Sequence, residues 1–542
     1  MRRVRTLPVL LGLCLAAFVI SLDVTIVNVA LPTLVRRLGA SSTGLQWVVD
    51  AYNLVFAAAV LAAGSLSDRL GRKGTLLAGL FVFAGASWAG ALSGTEAELI
   101  AARAVMGLGA ALMFPSTLSL LVNVFVERGQ RAKAIGLWGA TTGIGIAAGP
   151  IVGGWLLERF WWGSIFAFLA IVAMGIAAMI AWAVPTSRDP RAPRTDWLGL
   201  VLSSAGMGAL VLGVIEAPGW GWGSVPSVLT MTLGLLVLVA FVAVERARGN
   251  PMLDVSLFRN PRFTAASGAV AISFFALQGF IFLVTQYFQF VKDFSPLGTG
   301  VRILPVATSV AVGSVIGTRL AVRAGNKVVV VAGMLSFATG LLWTATVTAG
   351  TSYAVIVGQM LFLGTGMGLT SAPATEAIMG AVPQAKAGVG SAVNDATRLF
   401  GGTLGVAVIG SVAASLYGSQ LVAALPAHLP VRALSAARGS LGGALAVSHE
   451  LARLGLGEAG GRLATAASGA FLHSLAGGCE VAAGVVVAGA VMAALLLPAQ
   501  PRRSERAPLD PAALVEPEPV LVTDRSVNAE ALQPMQTNAG SR

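Results

Sequence analysis

Long apolar runs, each near the length that crosses a bilayer as a helix, alternate with short polar connections along most of the chain. At roughly 20 residues per helix, they predict about fourteen spans. Six fall near 7–30, 45–66, 75–93, 98–121, 134–157 and 164–184. Two more follow near 197–217 and 226–244, and a last six near 263–290, 300–321, 328–348, 352–379, 389–417 and 477–498. Two stretches break the pattern. Residues 418–475, of Ala, Gly and Leu with scattered charge, predict a long external loop with some helix, and residues 499–542 a disordered tail.

A weak repeat divides these spans. GSLSDRLGRK at 64–73 closes the second and turns into the third, and TRLAVRAGNK at 318–327 does the same between the tenth and eleventh. Arg69, Gly71 and Lys73 match Arg323, Gly325 and Lys327, while Val322 stands where Asp68 would be. The economical architecture is an all-α integral membrane protein. A six-helix bundle over 1–184 and another over 263–498, in parallel pseudo-repeat, flank two inserted helices within 185–262.

Basic residues orient the spans. Arg69, Arg72 and Lys73, then Arg128, Arg131 and Lys133, then Arg188, Arg191 and Arg194 recur on one side. The series continues on that side with Arg246, Arg248, Arg259 and Arg262, and then Arg319, Arg323 and Lys327. Up to the long stretch at 418–475, the opposite connections offer little beyond Arg36, Arg37, Arg159 and Lys292, which places both termini in the cytoplasm of a plasma-membrane protein. Arg2, Arg3 and Arg5 before an apolar core imitate a signal peptide, but no A-x-A site follows, so an uncleaved first span is expected.

Composition excludes several classes. The chain is 56% hydrophobic and 11% charged, too little charge to clothe a soluble protein of 542 residues. Its net charge of +12 comes from basic residues scattered between apolar runs, which fits loops beside anionic lipid rather than nucleic acid. Cys14 and Cys479 lie in separate spans, so neither a disulfide framework nor a CxxC metal site is expected. No GxxxxGK[ST], HExxH or GxSxG motif is present, so neither ATP-driven work nor an enzyme is expected, and no cofactor.

The candidate chemistry lies in the few polar residues inside spans. Asp23 sits deep in the first, with Asn28 little more than one turn on; a carboxylate there is costly and marks either a proton-carrying site or a permanently paired structural acid. All three histidines fall in the 418–475 loop, so none serves as a buried proton carrier. Arg103, a few residues into the fourth span, is a second coupling candidate or an arginine snorkelling toward Glu96 and Glu98. Asp50 and Tyr52 begin the second span, as substrate-attracting or proton-carrying groups or as an interfacial anchor. Asp395 and Arg398 stand three apart, close enough to pair; Glu376 is a coupling candidate or a snorkelling end residue. Gln278, Gln286, Tyr287 and Gln289, interleaved with Phe280, Phe282 and Phe288, suit a roomy pocket for flat amphipathic ligands or a lipid-facing aromatic surface. Gly145, Gly149 and Gly153 line one helix face, Gly139, Gly143 and Ala147 a second, and Pro150 interrupts the backbone bonding between them.

Together these residues resemble the major facilitator superfamily, in its fourteen-span drug:proton antiporter branch. The likeness rests on SLDVTIVNVALP at 21–32, GSLSDRLGRKG at 64–74, RAVMGLGAALMFPSTLSLL at 103–121 and GIGIAAGPIVGG at 143–154. It covers nearly all of 5–417, with Met106 in place of the usual Gln. The resemblance implies export of amphipathic, cationic or aromatic drugs in exchange for protons, with the proton gradient as the energy source. The alternatives are export of one endogenous product or antibiotic, and, more distantly, proton symport. It also implies that Arg103 tunes the proton affinity of a neighbouring carboxylate. Gly64, Asp68, Arg69, Gly71, Arg72 and Lys73 would form a conformational latch, and Gly145, Gly149, Pro150, Gly153 and Gly154 a tight seam between the halves. The expected partners are the bilayer, small-molecule substrates and protons, and a monomer is expected.

Overall fold

The computed structural model describes residues 6–125, 127–187, 196–248, 253–382, 387–424 and 431–498. The tail at 499–542, Arg2, Arg3, Arg5, Arg188, Arg191, Arg194 and His428 lie outside the described residues.

Six helices build the first half: α1 (Thr6–Leu38), α2 (Ser42–Leu70), α3 (Arg72–Ala91), α4 (Glu96–Val124), α5 (Arg128–Arg159) and α6 (Ser164–Ala183). The inserted hairpin is α7 (Trp197–Trp220) and α8 (Val225–Ala247). The second half begins with α9 (Pro261–Gln286), which runs into a π turn, Tyr287–Val291. It continues with α10 (Pro296–Ala324), α11 (Asn326–Thr344), α12 (Tyr353–Ala381) and α13 (Ala387–Ala424), then α14 (Val431–Gly439), α15 (Leu441–Arg453) and α16 (Gly457–Leu496). Among the described residues, 13 helices are long and apolar enough to cross a membrane, and α2, bent by 56° beside Ala62, brings the number to 14. We call the face where α1 begins the near face and the one where it ends the far face.

The helix boundaries have local causes. Ser41, Thr95, Ser224 and Ser295 cap α2, α4, α8 and α10, each side chain accepting from a backbone N–H three residues on. Gly71 and Gly325, the matched glycines of the repeat, both adopt positive φ (119° and 85°) where one helix stops and the next starts.

Packing repeats the same plan twice. α1 lies on α5, α2 and α3 on α4, and α3 on α6; in parallel, α9 lies on α13, α10 and α11 on α12, and α11 on α16. The halves meet along two seams related by the same exchange, α2 on α13 and α5 on α10. α7 rests on both α2 and α13, with a small apolar core of Ala57, Val211, Ile215 and Ala407.

The stretch predicted as a loop with some helix is mostly helical among its described residues. Over 418–475, α13 continues to Ala424, α14 and α15 follow, and α16 starts at Gly457. Ser440 caps α15, Gly455 turns the chain at φ 81°, and Leu441, Gly442 and Ala444 are buried against neighbours that include Val35 and Phe290. An Ala- and Leu-rich stretch is helix-forming whether or not it crosses a membrane. The 40 residues of α16 span about 60 Å, roughly twice the hydrocarbon core.

Candidate functional site

Asp23 lies midway along α1 at 0% exposure, and α4 brings Arg103, 1% exposed, directly to it. Nη1 of Arg103 donates to both carboxylate oxygens at 2.7 Å, and Nε donates to the Val48 carbonyl at 3.0 Å. The guanidinium lies 4.3 Å from the centre of the Tyr52 ring, whose buried hydroxyl is within electrostatic reach of Asp23. Gly107 permits this approach: a Cβ there would stand 2.4 Å from the Tyr52 carbonyl oxygen. Met106 is fully buried beside it. Arg103 therefore does not snorkel; α1, α2 and α4 share one buried ion pair.

Asp50 is different. It is equally buried on α2, yet neither carboxylate oxygen has a hydrogen-bond partner. Gln46 and Asn53, one turn to either side, are also buried, and each keeps one polar atom unpartnered. Gln46 Oε1 accepts from Ser411 Oγ at 3.0 Å, which ties α2 to α13 across the halves. Gly410 leaves room for it, since a Cβ there would meet the Gln46 side chain at 2.8 Å. This polar strip was missed in the sequence except for Asp50, although positions 46, 50 and 53 follow the i, i+4, i+7 spacing of one helix face.

Other candidates fall elsewhere. Asp395 and Arg398 are half-buried; Arg398 donates through Nη2 to Thr375 Oγ1 at 3.1 Å and stacks over Phe274, while its charge still acts on Asp395. Glu376 is exposed on α12. Asn28 donates back to the Val24 carbonyl at 3.2 Å. Gln286 donates to the Phe282 carbonyl at 3.2 Å and Tyr287 to the Thr348 carbonyl at 2.8 Å. Gln289, re-aimed by the π turn, donates to the Val29 carbonyl of α1 at 2.8 Å. Phe280, Phe282 and Phe288 are buried. These buried groups form no lipid-facing surface; they pack in the core, and Gln289 reaches across to the first half. The cavity that includes Phe280, Tyr287 and Gln359 holds only about 10 Å³, room for one water. Gln278 lies nearby against Gly402.

The glycines of α5 divide between two partners. Gly145, Gly149 and Gly153 face α1 inside the same half, where added Cβ atoms would come within 2.7 Å of Phe18 O, 2.0 Å of Thr25 Oγ1 and 2.7 Å of Ile26 Cγ1. Pro150 and Gly154 face α10: a Cβ on Gly154 would stand 2.5 Å from Leu297 Cα, and one on Gly300 would stand 2.2 Å from the Pro150 oxygen. Gly139 and Gly143 border open space. Only the far end of the motif, then, is a seam between halves. Gly149→Val is expected to force α1 from α5 and destabilise the protein by at least about 1–3 kcal/mol. Gly154→Ala should leave folding intact and bias the far face open. Thermal melts of the first and far-face cysteine labelling of the second check this; wild-type values in both would count against it.

At the near end of the α2–α3 turn, Arg72 Nε donates to Asp68 at 2.7 Å and Lys73 Nζ to the Ala181 carbonyl at 2.8 Å. Arg69 is exposed and Gly64 half-buried. Asp68 thus pairs within its own turn. The hydrogen bonds that join the two halves among the described residues, Gln46–Ser411, Gln289–Val29 and Leu297 N–Glu158, all lie toward the far face.

Comparison with known proteins agrees with this architecture. The profile of the Major Facilitator Superfamily matches residues 13–406. The chain is 37% identical to Multidrug resistance protein Stp of Mycobacterium tuberculosis, over 77% of each chain. It is 33% identical to Multidrug efflux pump LfrA of Mycolicibacterium smegmatis (89% of this chain, 94% of that one). It is 32% identical to the Tetracenomycin C resistance and export protein of Streptomyces glaucescens (93% and 94%). In fold it is similar to a bacterial homolog of the human lysosomal transporter Spinster, solved in an inward-facing and unoccupied conformation (TM-score 0.65, 16% identity, 92% of this chain and 98% of that one). The chain belongs to the Major Facilitator Superfamily.

Proposed function

We propose that this protein is a multidrug exporter of the plasma membrane that expels amphipathic cationic or aromatic compounds in exchange for protons. The near face is cytoplasmic on this reading, because the basic connections lie there. The observation that carries the proton coupling is Asp50, a fully buried carboxylate with no partner, one turn along the same α2 face from Gln46, whose bond to Ser411 crosses the α2–α13 seam. Such a group is tolerable when it holds a proton, and it becomes free to lose that proton when the seam opens to water. The names of three relatives, a multidrug resistance protein, a multidrug efflux pump and an antibiotic export protein, supply the cargo class.

The substrate binds between the halves from the near side, where half-buried aromatics stand away from the closed seam. Phe114 and Trp138, 5.2 Å apart, serve the first half, and Phe274 with Arg398 the second. Flat rings suit flat ligands. The Asp68 turn acts as a latch between transport states, and the carrier works as a monomer. A narrower reading, export of one antibiotic, draws on the tetracenomycin relative, which matches nearly the full chain.

Ethidium efflux from cells or reconstituted vesicles tests both readings. Export that stops on adding a protonophore, and that several unrelated cations compete for, is expected. Export that ignores the protonophore would overturn proton exchange, and failure of every competitor but one would favour the narrow reading.

A further inference from the structure

The base of the inserted hairpin holds a second acidic site, remote in sequence from Asp23 and Asp50. Asp196 caps α7 and Glu245 lies in the last turn of α8; they are 6% and 2% exposed. Asp196 Oδ1 accepts from Gly199 N at 2.8 Å and from Arg248 Nη1. Glu245 Oε2 accepts from Leu253 N at 2.8 Å, in the connection that leads to α9. The two remaining oxygens, Asp196 Oδ2 and Glu245 Oε1, are buried without a donor and converge beside Gly199. A Cβ on that glycine would lie 3.1 Å from the first and 2.5 Å from the second. Among the described residues, Arg248 is the one other charge acting on this pair; Arg246 is exposed, and Asp254 caps the short helix Val255–Arg259 that follows.

Counting donors decides what belongs between the two oxygens. Two bare carboxylates facing each other out of water repel, and among the described residues Arg248 pairs with one of them only. A hard cation calls for six or more oxygen ligands, and no cluster of three or more His, Cys, Asp or Glu exists among the described residues. One proton fits. It gives each of the four carboxylate oxygens a hydrogen bond and brings the cluster of two acids and one arginine to neutrality.

We propose that Asp196 and Glu245 form a proton-binding site, with one proton shared between Asp196 Oδ2 and Glu245 Oε1, that clasps the base of the α7–α8 hairpin to the connection at Leu253. The site is separate from the groups assigned to transport and answers to pH at the near face. Its sign follows directly: stabilisation is present while the proton is bound and is lost as pH rises through the titration of the pair. Above that point, two like charges face each other across Gly199, and the hairpin base loosens.

The test uses the full-length protein purified in detergent. Its melting temperature should fall by about 2 °C or more between neutral and alkaline pH. Glu245→Gln, whose amide donates permanently to Asp196 Oδ2, should remove that fall. The infrared difference between wild type and Glu245→Gln should show a protonated-carboxyl band at neutral pH that vanishes at alkaline pH. Gly199→Ala, which puts a methyl where the oxygens meet, should shift the band without replacing either acid. An unchanged pH slope in Glu245→Gln, or no carboxyl band in the difference spectrum, overturns the proposal. Should Glu245→Gln fail to fold, the wild-type minus Gly199→Ala spectrum decides the matter on the same criterion.

Discussion

Arg103→Ala is expected to destabilise the protein by about 3–5 kcal/mol and to abolish export. The reason is the isolation of Asp23. At 0% exposure it takes both of its strong hydrogen bonds from Arg103 Nη1, and the arginine has the Val48 carbonyl and the Tyr52 ring as its remaining support. Removing the cation leaves a carboxylate buried without compensation, which is far worse than never having had the pair. The informative comparison is the double variant Asp23→Leu/Arg103→Met. Two apolar side chains of similar bulk should restore most of the melting temperature, since a buried ion pair and a packed apolar pair are close in stability. Export should stay at background. Recovery of drug efflux together with stability would make the pair a structural tie and remove it from the transport chemistry.

Much of this architecture was legible in the apolar pattern. Fourteen runs near bilayer length correspond, among the described residues, to 13 spanning helices and the bent α2, because a run this long and this evenly apolar satisfies its backbone in hydrocarbon by coiling rather than by closing a barrel. The repeat was visible in ten residues, and its cause is now plain: Gly71 and Gly325 hold the same positive-φ joint in each half. What composition could not separate was helix in the membrane from helix outside it. Residues 418–475 predict a loop with some helix for want of a long apolar run, and Ser440, Gly455 and a narrow apolar face suffice for more helix than that there.

The site was less legible. Asp23 and Arg103 are 80 residues apart, and their pairing depends on Gly107 letting α4 touch α2. Asp50 stood out as a charge, but its neighbours Gln46 and Asn53 did not, because an amide beside an interface raises no alarm in sequence. Gln286, Tyr287 and Gln289 each donate to a backbone carbonyl that a helix or a π turn left within reach, and Gln289 Oε1 stays buried without a donor; polar residues within an apolar run do not by themselves reveal which of these arrangements they adopt. The small-residue face of α5 was read as a single seam, but 145, 149 and 153 point one way and 150 and 154 another, so one motif packs two interfaces.

The second large effect is expected at Asp50, and it should differ from the first in kind. Asp50→Asn should leave the melting temperature at neutral pH unchanged or higher, while proton-driven export falls by about 100-fold, equivalent to some 2.7 kcal/mol. Stability is spared because no partner is orphaned: the wild-type carboxylate has no donor to lose, and a neutral amide of the same shape carries no charge to bury. Transport suffers for the same reason. An asparagine cannot shed a proton when α2 parts from α13, so the return from the open seam to the closed one no longer depends on the gradient. Downhill equilibration of substrate should therefore persist, and only accumulation against a gradient should be lost. Measuring ethidium exchange and gradient-driven export in the same vesicles separates the two. Full gradient-driven export in Asp50→Asn would remove this residue from the coupling reaction; a collapsed melting temperature would show that its oxygens are held by contacts that matter to folding. Ser411→Ala supplies the control, because it cuts the Gln46 tie at the same seam without touching the acid. It should loosen closure of the far face, and cysteines placed there should label faster, while export keeps its dependence on the proton gradient.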